Sequence, residues 1–244
     1  MGNHTYNTNE IRVALEIGLR GKRVVAVAPD WPGLERGATT GEAAVERLLS
    51  YVPRYAPVAK LAGMEAEFAT GTTSATRMPS NGVKKAVDVV EQYAGTGSTD
   101  FWGISFAFSG IDQEAMSDEE LERELTLMRA CWAFFDNVRS RVSAEMQKGP
   151  RGGGRDRDHI VRHTLSAEQD WAKMIGVLTP DGAMLTGKGL KAHRDAYCHA
   201  IRDYHVQGKL AGKMAKWPLR FLIRHTAFHT LDHAWEMEDK DLTT

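Results

Sequence analysis

Cysteine is scarce in this sequence, and long apolar runs and an excess of charge of either sign are missing. Cys131 and Cys198 are the only cysteines among 244 residues, a number that favours buried, reduced thiols over a disulfide framework. No apolar run approaches the length of a membrane span, and the N-terminus lacks the apolar core of a signal peptide. A formal charge of -1 gives no electrostatic reason to expect nucleic acid or a membrane surface as a partner. We therefore expect a cytoplasmic protein with neither partner.

The composition is that of a globular protein whose character changes near residue 112. Hydrophobic residues make up 42% of the chain and charged residues 26%, enough of each for a core and a polar surface. Residues 1–112 alternate short β-like runs with turns, whereas residues 113–244 have helical periodicity. The sequence thus predicts an α+β protein, in which a small N-terminal α/β-type domain is followed by an up-down four-helix bundle.

Strand-like and turn-like segments alternate in the N-terminal part. Ile11–Ile17 and residues 23–28 are predicted to form two strands joined by a turn at Gly21 and Lys22. A helix is predicted over 40–56, capped by Thr40 and weakened at its end by Pro53 and Pro57. One strand plus a loop is predicted within 63–82, and further strands are predicted over 87–93 and 101–108.

Helix signals dominate the C-terminal part. Ser117 and Glu120 form a capping box, and an apolar stripe with spacings of three, four and seven follows it as far as Met146. Four amphipathic helices in about 130 residues favour a helical bundle. The helices that follow the first are predicted over 156–175, over 190–207 and from Pro218 onward.

Seven of the nine histidines lie between residues 163 and 233, and three recur at four-residue steps: His225, His229 and His233. Residues four apart lie one above the other on a helix, so neighbouring imidazoles there can converge on one ion. Imidazole binds divalent zinc, nickel and iron. A tight site needs a third ligand from elsewhere, and His163 on the second helix is the best candidate. Three histidines leave a coordination position open for water or substrate, as in catalytic sites.

The histidines also have an interpretation without metal. Histidine pairs on helices are often solvated or hydrogen-bonded, and the three would then be polar residues of the core. Four other histidines are expected at the surface or at helix caps: His159, His193, His199 and His205.

The C-terminal half resembles the DinB/YfiT-like four-helix bundles, a superfamily of metal-dependent proteins. The resemblance covers about residues 113–241 and rests on one histidine from the second helix and a His-x-x-x-His pair from the last. Here these are His163 and the pair His229 and His233, and His225 matches a further histidine that many members carry. The resemblance implies a divalent metal ion, zinc or nickel, with the first three histidines as ligands and His225 as a supporting or alternative ligand.

Characterised enzymes of that family include thiol-dependent transferases and isomerases, in which the metal activates a low-molecular-weight thiol such as mycothiol or bacillithiol. The resemblance therefore implies a metal-dependent transferase or hydrolase that acts on a small molecule. Ala234-Trp235-Glu236 stands where many members have Arg-Gly-Gln, which leaves the substrate open. Asp232 and Glu236 are candidates to orient the imidazole N–H groups.

A loop rich in glycine and arginine precedes the second helix. Residues 148–157 lack the final Gly-Lys-Ser/Thr of a phosphate-binding loop, so a nucleotide is not expected. The backbone N–H groups of the loop, with Arg151 and Arg155, could hold an anionic substrate. The other interpretation is a flexible connection with solvated charges.

The N-terminal segment resembles HicB-like folds. The resemblance rests on two strands followed by Asp30-Trp31-Pro32-Gly33-Leu34 and by Ala38-Thr39-Thr40-Gly41-Glu42-Ala43 at the start of a helix. It implies a ββα shape and a dimerisation role, and hence a homodimer. It also supports a second function, that of a non-catalytic binding protein with a HicB-like interaction module and a structural helical bundle.

Overall fold

The chain divides into two compact units, Met1–Glu114 and Ala115–Thr244. The first unit contains a β-sheet, and the elements described in the second are helical apart from one isolated β-bridge. The protein is therefore of mixed α and β class, as the sequence predicts. This computed structural model describes residues 10–73, 87–150, 153–211 and 217–243.

The described strands of the first unit are β1 Ile11–Ile17, β2 Val24–Val27, β3 Glu35–Ala38 and β4 Val87–Ala94. They form one sheet in the order β3-β2-β1-β4. β1 pairs antiparallel with β2 and parallel with β4, and β2 pairs antiparallel with β3. Every residue of β2 is buried, and its Val-Val-Ala-Val sequence suits a strand covered on both faces.

β1, β2 and β4 confirm three predicted strands, whereas the sequence does not predict β3. Glu35, Gly37 and Ala38 have low β propensity, but the charged side chains of Glu35 and Arg36 are buried. The Glu35 carboxylate accepts a hydrogen bond from the backbone N–H of Ser105. Long-range contacts of this kind stabilise a strand that local sequence preferences disfavour.

Helix α1, Gly41–Leu61, extends beyond the predicted end at residue 56. Thr40 caps it as predicted, because its side chain accepts a hydrogen bond from the Ala43 N–H. Pro53 and Pro57 both lie on the exposed face, so the helix continues past them while Tyr55 and Val58 on the other face are completely buried. Burial of that face outweighs the hydrogen bonds that the two prolines remove.

Helix α2, Glu65–Gly71, lies where the sequence predicts one strand and a loop. The reason is packing: Phe68 is buried with its ring 4.8 Å from Trp31 and 5.3 Å from Tyr55. The rest of the predicted segment, residues 74–82, lies outside the described residues.

The predicted strand over 101–108 is wrong. Helix α3, Gly97–Trp102, ends at Gly103, which has a φ of 68°, and helix α4, Gly110–Gln113, follows. Between them the backbone N–H groups of Phe106 and Ala107 donate to the buried carboxylate of Glu16, at 3.1 and 3.2 Å. A side-chain carboxylate thus takes the place of the neighbouring strand as the hydrogen-bond acceptor.

The described residues of the second unit form four long helices, α5 Asp118–Arg141, α6 Arg157–Lys173, α7 Gly187–Ala211 and α8 Leu219–Asp239. A short 3₁₀ turn, Ala183–Leu185, precedes α7. The predicted capping box at Ser117 and Glu120 is confirmed. The predicted apolar stripe reaches Met146, but helix α5 ends at Arg141. Met146 is nevertheless buried, and its backbone forms a β-bridge with Asp241.

All four helices of the second unit contribute to one apolar core. Gly208 does not end α7, which begins before and continues beyond the predicted range. Cys131 and Cys198 are buried thiols, as the sequence predicts. None of the helices in the described ranges is long and apolar enough to cross a membrane. The core cluster consists of Met116, Leu121, Leu125, Met128, Trp132, Ala172, Val177, Tyr197, Cys198, Ile201, Leu222 and Ile223.

Candidate metal centre

Helices α6 and α8 bring together the three histidines that the sequence selects as ligands. The two helices pack against each other, and His163 of α6 meets His229 and His233 of α8. The Nε2 atom of His229 lies 3.3 Å from that of His163 and 3.2 Å from that of His233. Within the part of the chain that the structure describes, these three form the one group of histidine, cysteine and acidic residues arranged to hold a metal ion, and its ligand atoms all lie within 4.8 Å of one another.

The spacing of these nitrogens agrees with the requirements of a divalent ion. Imidazole nitrogens bind zinc at about 2.0–2.1 Å, so two of them in a tetrahedral site lie about 3.3–3.4 Å apart. The Nε2 separations of His229 from His163 and from His233 are close to that edge length. The donor set also fits, because neutral imidazole nitrogen is a ligand that zinc and nickel both accept.

The environment of the group favours the neutral form of two of its imidazoles, those of His163 and His229. Burial, together with the charges of His233 and His163, lowers the pKa of His229 to about 2. Partial desolvation and the charge of His233 also lower the pKa of His163. Since a protonated imidazole cannot bind metal, this environment favours the form that can.

A carboxylate holds the far side of His233. The Oε2 atom of Glu236 is 2.7 Å from His233 Nδ1, and Arg155 and Lys240 donate to the same carboxylate at 2.9 and 2.6 Å. Burial raises the pKa of Glu236, but the hydrogen bonds from His233 and Lys240 and the charge of Arg155 bring it down to about 2. Of the two acidic residues that the sequence offers for this role, Glu236 is the one bonded to His233.

His225 does not join the group. It is buried one turn before His229, with its ring stacked on Phe221 at 5.1 Å. α6 and α8 run in opposite directions, so the residue of α6 that faces His225 is Trp171, at 4.9 Å between ring centroids. The Trp171 ring also lies 5.1 Å from that of His229 and covers this side of the group.

Of the two arginines predicted to hold an anionic substrate, only Arg155 lies within the described residues, and Arg151 lies outside them. The side chain of Arg155 is one-third exposed and bonded through one nitrogen to Glu236. The sequence analysis does not single out Lys240 as a partner of Glu236. A lysine four residues after a glutamate in a helical sequence is nevertheless a recognisable signal for an ion pair.

The loop between α5 and α6 is anchored to the end of α8 at its beginning. The backbone N–H of Gln147 donates to the Lys240 carbonyl at 2.8 Å, and that of Ser143 donates to the Asp241 carboxylate at 2.9 Å. These bonds place the loop that carries Arg155 beside the turn of α8 that carries Glu236.

Two other histidines are buried, contrary to the surface or capping positions expected from the sequence. His193 bonds Thr179 through Nδ1 at 2.7 Å, and its Nε2 atom lies 3.7 Å from the buried carboxylate of Glu168. His205 bonds Asp118, the first residue of α5. Both sites depend on partners from distant segments, which local sequence patterns do not indicate. His159 and His199 are exposed, as expected.

Comparisons of this chain with protein-family models, with curated proteins and with solved structures found no match. The function must therefore be argued from the site.

Proposed function

We propose that this protein is a metal-dependent enzyme that acts on a small molecule through His163, His229 and His233. The observation that carries the proposal is the convergence of three Nε2 atoms, two pairs of them 3.2 and 3.3 Å apart, on one point between α6 and α8. Zinc or nickel is the metal we expect. The resemblance of the histidine pattern to the DinB-like family, and the four long helices of the second unit, support a DinB-like four-helix bundle.

Three protein ligands leave a tetrahedral ion with one position for a substrate. A zinc or nickel ion there would supply Lewis acidity toward a water molecule or a low-molecular-weight thiol. His163 is the exposed member of the group, so a small molecule can approach from its side. Trp171 covers His229 on another side and restricts water there. These features favour thiol transfer or hydrolysis as the reaction.

The open position can be tested directly with cobalt. The metal-free full-length chain is loaded with cobalt(II) and titrated with cysteine or glutathione while the absorption spectrum is recorded. We expect a new sulfur-to-cobalt charge-transfer band, because a thiolate takes the fourth position. The His229→Ala variant is the control and should give no such band. A wild-type cobalt spectrum unchanged by either thiol would refute an open catalytic site.

A different observation favours a second function, that of a HicB-like interaction protein. In the first unit, Phe101 and Trp102 form an edge-to-face pair at 4.6 Å and are 73% and 66% exposed. Exposed aromatic side chains of this kind are enriched at protein interfaces. If this pair mediates a homodimer, the Phe101→Ser/Trp102→Ser double variant should sediment as a monomer where the wild type sediments as a dimer. Equal sedimentation of the two proteins would count against it.

A further inference from the structure

Glu236 is the point at which the ligand His233 is connected to a network of charges. One carboxylate oxygen faces His233 Nδ1 at 2.7 Å and the Arg155 guanidinium at 2.9 Å, and the other oxygen faces the Lys240 ammonium at 2.6 Å. The Glu236 side chain is 18% exposed. A single ion pair at a surface contributes little, but a mostly buried carboxylate with three donors has its position well defined.

The two cations reach Glu236 from different segments. Lys240 lies four residues after Glu236, immediately beyond the end of α8, whereas Arg155 comes from the loop before α6, 81 residues from Glu236 in the chain. That loop is itself bound to the end of α8 through the N–H of Gln147 and the carbonyl of Lys240. The position of the carboxylate is therefore fixed from both sides.

The consequence for His233 concerns which ring nitrogen carries the proton. A charged carboxylate at Nδ1 accepts a hydrogen bond, so the proton of the neutral ring resides on Nδ1. The lone pair of Nε2 then faces His163 and His229. The situation of His229 is different, because its Nδ1 atom is buried and has no hydrogen-bond partner among the residues that the structure describes.

We infer that Glu236 is a positioning residue that selects the metal-binding tautomer of His233, and that Arg155 and Lys240 act by holding Glu236 in place. The inference rests on the proposed function in one respect: the tautomer matters for activity only if His233 binds metal. It assigns Arg155 to the support of a ligand, a role different from the substrate binding that its loop suggests.

Zinc affinity provides the first test. The zinc dissociation constant of the full-length protein is measured by competition with a chromophoric chelator for wild type, Glu236→Met and Glu236→Gln. We expect Glu236→Met to weaken zinc binding by roughly 10- to 100-fold, as loss of a hydrogen bond to a ligand imidazole does elsewhere. Glu236→Gln, which keeps one acceptor oxygen, should lose less, and Arg155→Met should lose less than Glu236→Met. Glu238→Met is the matched control, because Glu238 lies on the same helix but pairs with Arg141, and it should bind zinc as the wild type does.

The second test needs no metal. Long-range proton–nitrogen NMR spectra of the metal-free protein report which nitrogen of His233 is protonated. We expect the Nδ1–H form in wild type and a mixture of both tautomers in Glu236→Met, measured below the thermal unfolding midpoint of each protein. A purely structural role for Glu236 would lower that midpoint and leave the tautomer unchanged.

The outcomes separate this inference from the proposed function. A wild-type protein that binds neither zinc nor nickel refutes the proposed function, while the His233 tautomer still decides the role of Glu236. Zinc bound equally by wild type and Glu236→Met, or a wild-type His233 protonated at Nε2, overturns the inference even if the metal site is real.

Discussion

The Nε2 atoms of His163 and His229 lie 3.3 Å apart, although 66 residues separate the two histidines in the chain. Antiparallel packing of α6 on α8 brings them together, and burial keeps the pKa of His229 at about 2, so charge repulsion does not oppose their approach. Because the three rings are already close, an ion can bind without a large rearrangement of the helices. The consequences can be tested residue by residue.

Replacement of single histidines should separate ligands from neighbours. We expect His229→Ala or His233→Ala to abolish tight zinc binding, and His163→Ala to do the same if α6 supplies the third ligand. His225→Ala should weaken binding less, because its ring packs against Phe221 and lies outside the group. Calorimetric zinc titrations measure both affinity and stoichiometry. Equal stoichiometry in wild type and His229→Ala would refute the site.

The buried His193 should make the stability of the protein fall in mild acid. Burial and the neighbouring Arg194 lower the pKa of His193 from 6.5 to about 4 in the folded state. Between these two pKa values the unfolded chain binds a proton that the folded chain does not. The free energy of unfolding is therefore unaffected above pH 6.5 and falls as the pH drops toward 4, by about 3 kcal/mol at most.

Urea unfolding at pH 7 and pH 4.5 measures this loss. The His193→Gln variant should lose less stability between these two values than the wild type, since it lacks the titrating ring. His199→Gln, on the exposed face of the same helix, is the control and should behave as the wild type does. An equal pH dependence in wild type and His193→Gln would contradict the expected role of His193.

The buried ion pair between Glu168 and Arg194 should be costly to break on one side. Glu168 is 1% exposed and accepts a hydrogen bond from Arg194 at 3.0 Å, and Arg194 also bonds Asp136. We expect Glu168→Leu to lower the free energy of unfolding by about 3 kcal/mol, because it leaves a buried guanidinium short of a partner. The Glu168→Leu/Arg194→Leu double variant should recover part of that loss in urea unfolding. If the loss in the double variant equals the sum of the losses in Glu168→Leu and Arg194→Leu, the two residues are not coupled.

The Glu16 carboxylate should hold the segment between α3 and α4 in place. It accepts hydrogen bonds from the N–H groups of Phe106 and Ala107 and from the Ser105 hydroxyl. Glu16→Gln places an amide donor against these donors, so we expect a loss of about 1–3 kcal/mol and faster hydrogen exchange at residues 106 and 107. Glu42→Gln, at an exposed position of α1, is the control. Unchanged exchange at both amides in Glu16→Gln would contradict this role.

The sequence predicts best what depends on local periodicity. The capping box at Ser117 and the apolar stripe after it are local features, and the helix that they predict is present. The spacing of His229 and His233 is local too, whereas His163 is selected by its position on the second helix of a bundle and by the resemblance to a family pattern. The elements that the sequence misses depend on distant partners: β3 contains Glu35, which bonds Ser105, and the segment at 105–107 binds Glu16.

The same limit applies to the candidate site. Arg155 looks like a loop arginine available to an anion, and only the fold shows that it bonds a carboxylate on α8. His193 has an ordinary helical context in the sequence, yet on α7 it is buried beside Glu168 of α6. Local sequence patterns contain no signal for such pairings.

The metal content of the protein tests the central proposal most directly. Untagged wild-type protein and the His163→Ala/His229→Ala double variant are purified in parallel and measured by plasma mass spectrometry, before and after incubation with zinc or nickel and removal of excess ion. We expect about one divalent ion per chain in the wild type and none in the double variant. A folded wild-type protein that contains no metal and takes up neither ion would contradict the proposal, as would equal metal content in the two proteins.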